Sequence, residues 1–357
     1  MFLITLGLWS LLFSIAASAP ATATAKKPHK QTTVPNITTT AYPLPNQGHI
    51  AAHDPNIIRQ NHTFYLFKGG ISIPISKSDS LSGPWEHAGT ILDGPSSVRK
   101  ENPKRPWAPT VAEWMGKLYC FYSISQNGKQ NSAVGLAESQ TGDVEGKWTD
   151  HGALINTGKG PGSKKYPFNV SNAIDPAFFV DPATGSPYLQ YGSYWKGIFQ
   201  LPLEDDLSLA NFTRDQVDNL VYVPDKKQKP VEGSFVTYHE PWYYTWFSHG
   251  QCCQFKQRGF PKKGQEYSIR VGRSKSVHGP FHDRKGRSLL NGGGSVVYGS
   301  NHGKVYAPGG VGVLPGVGDE KDVLYYHYMN TSIGFGQGDA RLGWNYLDYV
   351  DGWPVPR

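Results

Sequence analysis

Residues 175–193 read DPAFFVDPATGSPYLQYGS, an apolar run and an aromatic run joined by a polar turn. Phe, Tyr and Val favour extended strands, whereas the segment DPATGS between the two runs is typical of a turn. The stretch therefore predicts a β-hairpin that begins directly after an acidic residue and a proline.

The same arrangement recurs along the chain, roughly every 55 to 75 residues. Each further copy opens with a small or acidic residue followed by Pro or Gly: Asp54-Pro55, Ala108-Pro109, Glu232-Gly233 and Ala307-Pro308. After three of the hairpins, a serine-rich segment leads to Gly-x-Trp or Gly-Pro-Phe, ending at Trp85, Trp148 and Phe281. Each copy therefore contains about four strands.

Five four-stranded units bury their faces well when they are arranged radially, because each sheet then packs against two neighbours and only short edges remain. We therefore predict an all-β fold, a five-bladed β-propeller over residues 48–357. A β-sandwich with accidental similarity between hairpins is the alternative, but it does not explain why five hairpins share one opening pattern.

Length allows one large all-β domain or two ordinary domains, and the composition favours strands. The 357 residues are 38% hydrophobic and 13% aromatic, which excludes a wholly disordered chain. The net charge of +7 could favour an acidic polysaccharide such as pectin, although a solvated basic surface is the simpler explanation. Three cysteines allow at most one disulfide, and the adjacent Cys252 and Cys253 form either a vicinal ring or two buried thiols.

The N-terminus precedes the folded domain. Residues 1–19 are apolar and end in small residues, which predicts a signal peptide and a secreted protein. Residues 20–47 are rich in Thr, Pro, Ala and Lys and predict a flexible leader. Five Asn-x-Ser/Thr sequons, at Asn36, Asn61, Asn169, Asn211 and Asn330, are compatible with glycosylation.

The repeat brings three carboxylates together. In a propeller the innermost strand of each blade begins at the central channel, so the residue before it lies near the axis. Of the five equivalent positions, three are acidic, namely Asp54, Asp175 and Glu232. Crowded carboxylates raise at least one pKa, and glycoside hydrolysis needs one protonated carboxyl and one ionised carboxylate. The register therefore predicts a hydrolytic site at the axis.

Aromatic residues and metals are the other elements of such a site. Trp107 and the pair Tyr194-Trp195 are candidates for stacking on a sugar ring. Clustered carboxylates can also hold calcium, with His53 as a contributor, but neither an EF-hand loop nor a His-x-x-x-His spacing occurs in the sequence. The metal ligands therefore stay unknown.

Short motifs around these residues resemble the family 43 glycoside hydrolases, and within them the fungal endo-1,5-α-L-arabinanases. The motifs are HDPNII around Asp54, NAIDPAFF around Asp175, YGSYWKGIFQLPL from Tyr191, VEGSF around Glu232 and NGGG at Asn291. The resemblance implies a secreted hydrolase that cuts internal α-1,5 bonds of arabinan with inversion at the anomeric carbon. It further implies that Asp54 is the general base, Glu232 the general acid and Asp175 the residue that tunes and positions Glu232.

By the same resemblance, Trp107, Asn172 and Ser193 match positions that line the substrate groove, and His53 is a further candidate for substrate contact. Arabinan is the expected partner, with no nucleic acid, no membrane and a monomeric state. No cofactor is expected to be required, and a structural calcium stays an open possibility.

Two departures from the family pattern bear on the site. Many relatives have an acid where this chain has Thr110, and a histidine of a central metal site where it has Gly310. His302 or His327 could substitute for that histidine. The alternatives to an endo-arabinanase are an exo-acting arabinofuranosidase or β-xylosidase with the same acids, and a carbohydrate-binding propeller without catalysis.

Overall fold

The computed structural model describes residues 41–48, 50–224, 230–316 and 320–357. The predicted signal peptide at 1–19 and most of the predicted leader lie outside these residues. The chain divides into units of residues 1–36 and 37–357, and all described residues belong to the second unit. No helix within the described ranges is long and apolar enough to cross a membrane.

The described residues form five antiparallel sheets, each of four strands consecutive in the chain. The first sheet contains β1 (Asn56–Gln60), β2 (Thr63–Phe67), β3 (Pro74–Ser78) and β4 (Glu86–Thr90), and the second contains β5 (Trp107–Trp114), β6 (Lys117–Ile124), β7 (Ala133–Ser139) and β8 (Trp148–Asn156). The third contains β9 (Ala177–Val180), β10 (Pro187–Tyr191), β11 (Ile198–Pro202) and β12 (Asp218–Val221). The fourth contains β13 (Val231–His239), β14 (Trp242–His249), β15 (Ser268–Ser274) and β16 (Ser295–Tyr298), and the fifth contains β17 (Val305–Leu314), β18 (Val323–Asn330), β19 (Ala340–Val350) and β20 (Trp353–Pro356).

The first strands of the sheets, β1, β5, β9, β13 and β17, contact one another in a closed ring. This arrangement confirms the predicted five-bladed β-propeller. Two backbone hydrogen bonds close the ring. The N–H of Ala52 donates to the carbonyl of Ala340 at 3.1 Å, and the N–H of Leu342 donates to the carbonyl of Ile50 at 3.2 Å. The N-terminal residues of the domain therefore join the first blade to the last.

Residues 41–47, at the end of the segment predicted as a leader, contact this closure. The backbone N–H of Leu44 donates to the carbonyl of Trp344 at 2.9 Å, and the side-chain amide of Asn46 donates to the carbonyl of Leu342 at 2.7 Å. The Tyr42 ring stacks on His302 with a centroid distance of 4.2 Å. These contacts extend the packed chain on the N-terminal side of residue 48.

The core lies between neighbouring blades. The strand β14 reads WYYTWFSH, and all its residues except the first and last are buried. Both faces of a middle strand are covered in a propeller, so the strand is apolar on both sides instead of alternating. Trp246 and Tyr326, fully buried in one cluster, pack the fourth blade against the fifth. Large aromatic side chains therefore supply most of the contact between blades.

The chain turns sharply just before each inner strand. Asp54, Ala108, Asp175 and Ala307 all have left-handed backbone conformations, with φ of 48°, 41°, 55° and 52°. Such values are unusual for residues other than glycine. They are shared by equivalent positions of four blades, so the opening pattern predicted from the sequence marks a repeated structural feature.

In the fourth blade the left-handed residue is Gly233, with φ of 59°, instead of Glu232. The sheet pairs Glu232 with Ser248 and then skips to Phe235 with Trp246, in the same way as it pairs Trp107 with Ser123 before a bulge. The prediction that Glu232 is equivalent to Asp54 and Asp175 is therefore wrong by one residue. Glu232 still lies at the axial end of its strand, because the bulge follows it.

The strand directions define two ends of the propeller. Inner strands begin at one end, so the connections from fourth to first strands and from second to third strands also emerge there. We call this end the front face, and the other end the rear face. Cys252 and Cys253 form a disulfide in the front-face connection between β14 and β15, which also contains the short helix α1 (Phe255–Arg258). Of the two alternatives for these cysteines, the structure shows the vicinal ring.

Candidate active site

Asp54 is bound by two histidines. Its Oδ2 lies 3.0 Å from Nδ1 of His53, and its Oδ1 lies 3.3 Å from Nδ1 of His327. The Asp54 backbone N–H also donates to Nδ1 of His327 at 3.1 Å, and the two imidazole rings stack with a centroid distance of 4.2 Å. Burial favours the neutral carboxyl, but the contacts with His53 and His327 outweigh it and lower the pKa of Asp54 far below its usual range. Asp54 is therefore ionised.

Glu232 has the opposite electrostatic environment. Its side chain is buried, Oε2 accepts a hydrogen bond from Ser193 Oγ at 2.5 Å, and Oε1 accepts one from Tyr267 OH at 3.0 Å. These two bonds favour the carboxylate. Burial, together with the nearby charge of Asp54, nevertheless raises the pKa of Glu232. Glu232 therefore retains a proton to a higher pH than an exposed glutamate does.

Asp175 is hydrogen-bonded to the backbone directly after Glu232. Its Oδ2 accepts a hydrogen bond from the backbone N–H of Gly233 at 3.1 Å, and its own backbone N–H donates to Ser123 Oγ at 2.9 Å. Burial raises the pKa of Asp175 well above its ordinary value, and the charges of Glu232 and Asp54 raise it further. The three carboxyl groups therefore interact electrostatically, as the sequence predicted.

A glycine lets Asp54 lie close to the fifth blade. A Cβ added to Gly310 would lie 2.5 Å from Oδ1 of Asp54, whereas one added to Gly233 would make an ordinary contact, 3.6 Å from Cα of Gly310. The cavity on the axis is lined by these glycines and by both aspartates. The site is thus a small ring in which an ionised carboxylate faces two carboxyl groups that resist ionisation, which is an arrangement suited to acid–base catalysis.

Thr110, in β5 of the second blade, forms a hydrogen bond with the start of the third blade at this ring. Its side chain is buried, and Oγ1 donates to the carbonyl of Pro176 at 2.7 Å. An ionised carboxylate has no hydrogen to donate and would instead repel this carbonyl. Thr110 therefore places a hydrogen-bond donor beside Asp175, at the position where the resemblance to the family implied an acid.

The other predicted site residues lie at different depths. Trp107 is the half-buried first residue of β5, and His53 is the partner of Asp54 described above. Ser193 is buried and bonded to Glu232. Asn172 is buried, and its Oδ1 accepts from Ser132 Oγ at 2.8 Å. The structure thus brings Ser193 and His53 to the carboxylates and places Asn172 in a hydrogen bond inside the protein.

Tyr267 was not predicted from the sequence as a site residue, and His327 was predicted only as a substitute for the metal-ligating histidine. Tyr267 comes just before β15 and His327 lies within β18, so no turn or repeat signal distinguishes them. The pairing of His327 with Gly309 across β17 and β18 places its ring at the axis. His302, the other substitute considered, stacks on Tyr42.

The two histidines and the carboxylate of Asp54 are candidate ligands for a metal ion. Within the described ranges, His53, Asp54 and His327 form one group whose possible ligand atoms lie within 4.8 Å of one another. Calcium requires six to eight oxygen ligands, and this group offers one carboxylate. The group therefore does not fit calcium.

Proteins named as arabinanases or arabinan endo-1,5-alpha-L-arabinosidases are similar to this chain in sequence and in structure. The chain is 71% identical over 320 residues to "Probable arabinan endo-1,5-alpha-L-arabinosidase D" of Emericella nidulans, which covers 89% of this chain and 83% of the relative. An alpha-L-arabinanase of Cellvibrio cellulosa, solved with arabinohexaose, matches with a TM-score of 0.73 and 26% identity, over 87% of this chain and 96% of that one. An exo-1,5-alpha-L-arabinanase from a bovine ruminal metagenomic library also has a TM-score of 0.73, at 25% identity and with 87% and 97% coverage.

The family described as Glycosyl hydrolases family 43 matches residues 48–354, from just before the first inner strand into β20. This match contains all three carboxylates and both histidines of the site. The resemblance seen in the short motifs is thereby confirmed, and the chain belongs to glycosyl hydrolase family 43.

Proposed function

We propose that this glycoside hydrolase cuts internal α-1,5 bonds of arabinan with inversion at the anomeric carbon. The observation that carries the proposal is the contrast between two acids of the axial site: two histidines contact Asp54 and lower its pKa, whereas burial and the charge of Asp54 raise the pKa of Glu232. The 71% identity with a protein named as an arabinan endo-1,5-alpha-L-arabinosidase supports the substrate and the endo mode.

In the proposed reaction Asp54 is the general base. Its carboxylate accepts a proton from a water molecule, whose oxygen attacks the anomeric carbon of the arabinofuranose. His53 and His327 orient the carboxylate and keep it ionised.

Glu232 is the general acid. It donates its proton to the glycosidic oxygen as the bond between that oxygen and the anomeric carbon breaks. Ser193 and Tyr267 hold both of its oxygens, so the carboxyl group keeps one orientation. These hydroxyl groups also stabilise the carboxylate that remains after the proton has left.

Asp175 acts through Glu232. Its carboxyl group binds the peptide N–H directly after Glu232, which fixes the backbone from which the acid projects. We assign Asp175 as a positioning residue and not as a participant in proton transfer.

Product analysis on linear 1,5-α-arabinan tests the endo mode. Mixed short oligosaccharides with an early loss of viscosity are expected. Arabinose alone, or activity only on an aryl arabinofuranoside or xylan, would instead support the exo-acting alternative, which the fold cannot exclude because an exo-arabinanase shares it. Absence of cleavage on all substrates would favour a carbohydrate-binding propeller.

Secretion and monomeric, metal-independent action are part of the same proposal, with arabinan as partner and neither nucleic acid nor membrane. Residues 1–19 support secretion by their apolar composition, and the sequon residues Asn61, Asn169 and Asn211 are exposed. N-terminal sequencing of the protein from culture medium, with light scattering for its mass, tests these points. Intact residues 1–19 or a dimer mass would contradict them.

A further inference from the structure

Charge is distributed unequally between the two ends of the propeller. Three front-face connections have exposed basic side chains: Arg99, Lys104 and Arg105 between β4 and β5; Lys159, Lys164 and Lys165 between β8 and β9; and Lys256, Arg258, Lys262 and Lys263 between β14 and β15. The connection between β8 and β9 leads directly into Asp175. The connection between β14 and β15 follows Ser248, the partner of Glu232. Asp93 and Glu101 are also exposed in the first connection, but exposed basic side chains outnumber exposed acidic ones in all three connections, which therefore have an excess of positive charge.

The rear face has mostly acidic connections. Glu204, Asp205 and Asp206 are exposed between β11 and β12, and Glu240 and Asp351 are exposed in other rear turns. The connection between β15 and β16 is the basic exception, and two of its residues are held by aromatic rings: Lys275 over Trp242 and Arg284 over Trp353. The overall charge of +7 thus conceals a separation of charge along the propeller axis.

In the part of the chain that the structure describes, the lysines of the three front-face connections form no ion pair within the protein. Among the described residues, Lys and Arg form ion pairs at Arg59, Lys77, Lys117, Lys321 and Arg357, and none of these belongs to the three front-face connections. Lys164-Lys165 and Lys262-Lys263 even place like charges side by side, which costs electrostatic free energy. Their charge is available to a ligand.

Arabinan does not account for this charge, because a neutral polysaccharide has no ionised group. A lysine ammonium group is a compact, hydrated point charge that suits dispersed carboxylates, and its influence extends to about 10 Å at moderate salt. We propose that the front-face lysine loops bind a polyuronate, the carboxylate-bearing type of chain that carries arabinan in pectin. This inference rests on the proposed function: the enzyme is held on the acidic backbone while the axial site cuts the neutral side chain.

Fluorescence anisotropy with a labelled oligogalacturonate measures this binding without catalysis. The intact protein is expected to bind at about 50 mM salt and to lose most of its affinity at about 500 mM, because screening removes the attraction. The double variants Lys164→Glu/Lys165→Glu and Lys262→Glu/Lys263→Glu should each bind roughly tenfold more weakly, since two attractive contacts become repulsive. A fully methyl-esterified oligogalacturonate should not bind.

The matched control is Lys147→Glu/Lys285→Glu, with the same change in net charge at exposed rear-face positions. It should keep wild-type affinity within about twofold. An equal loss in the control would assign binding to net charge and overturn the proposal. Failure of the intact protein to bind at low salt, or tighter binding of a nucleic acid than of the oligogalacturonate, would overturn it too.

Catalysis supplies a second readout. The rate on pectin-linked arabinan divided by the rate on free linear arabinan should fall in both front-face variants and stay unchanged in the control. An unchanged ratio in the front-face variants would contradict the proposal. If the intact protein binds oligogalacturonate but cleaves no arabinan, the proposed function fails and the binding result stands by itself.

Discussion

His327 fills the space that a side chain at position 310 would need. A Cβ on Gly310 would lie 2.7 Å from Nδ1 of His327, which reaches the axis from β18, the strand paired with β17. The resemblance places a histidine at position 310 in many relatives. Here an imidazole arrives from the neighbouring strand, and its Nδ1 is occupied by the backbone N–H and carboxylate of Asp54.

The variant Gly310→Ala should therefore lose both stability and activity. The added methyl group would displace His327 and Asp54, and the left-handed φ of 59° adds backbone strain. We expect a loss of about 2 to 4 kcal/mol in the free energy of unfolding and a large fall in kcat. Gly303→Ala is the control, because Gly303 has a φ of 69° with nothing within 4 Å of an added Cβ. Equal losses in the two variants, measured by denaturant unfolding, would show that the contact with His327 is unimportant.

Removal of divalent cations should have no effect on folding. The group around His327 offers one carboxylate, so calcium gains few oxygen ligands there. We expect the same Tm in EDTA as in millimolar calcium. A rise in Tm with calcium, which ligand linkage would produce if the native state bound the ion, would refute this expectation.

The fold could be predicted because the blades begin with similar short sequences. Asp54 and Asp175 each precede proline in a left-handed conformation, and this local signal recurs in four blades. Glu232 was placed one residue out of register because Glu-Gly resembles the Asp-Pro pattern, although the glycine is the equivalent residue. The bulge that decides this is a property of strand pairing and not of composition.

The partners of the acids could not be predicted. Tyr267 reaches Glu232 from just before a third strand, and His327 reaches Asp54 from a second strand, so their positions depend on the register between strands. The separation of charge between the two faces has the same origin. Lys164 and Lys262 are distant in sequence and share a face because of strand direction alone.

The variant Glu232→Gln tests the proposed acid. It should lose roughly 10²- to 10⁴-fold in kcat on linear arabinan, because the leaving oxygen no longer receives a proton. Circular dichroism should remain unchanged. Glu101→Gln, an exposed change in the front-face connection before β5, should keep full activity. Wild-type kcat in Glu232→Gln would remove Glu232 from the mechanism.

The pH dependence of stability reports on Asp175. Its pKa is raised in the folded protein, so the native state holds a proton that the unfolded chain releases as the pH rises above about 4. Wild-type stability therefore decreases with pH through this group, and Asp175→Asn should not share that decrease. Asparagine can still accept the Gly233 N–H. We expect the variant to gain a few degrees in Tm relative to wild type at pH 7 and little at pH 4. A Tm difference independent of pH would contradict this.

Thr110→Val tests the hydrogen bond that replaces an acid beside the site. Valine keeps the shape of threonine but cannot donate to the carbonyl of Pro176, which would be left buried without this bond. The free energy of unfolding should fall by about 1 to 3 kcal/mol. In addition, kcat should fall more than KM changes, because Asp175 precedes Pro176 and would shift with it.

Thr245→Val is the matched control for this change. Thr245 is fully buried in β14, and among the described residues its Oγ1 has no hydrogen-bond partner. Removing an unsatisfied hydroxyl should leave stability unchanged or increase it, because valine loses no bond and avoids the cost of burying a polar group. If Thr110→Val and Thr245→Val behave alike in both unfolding and kcat, the Thr110 hydroxyl does not position Asp175, and the departure from the family pattern at this position has no consequence for the site.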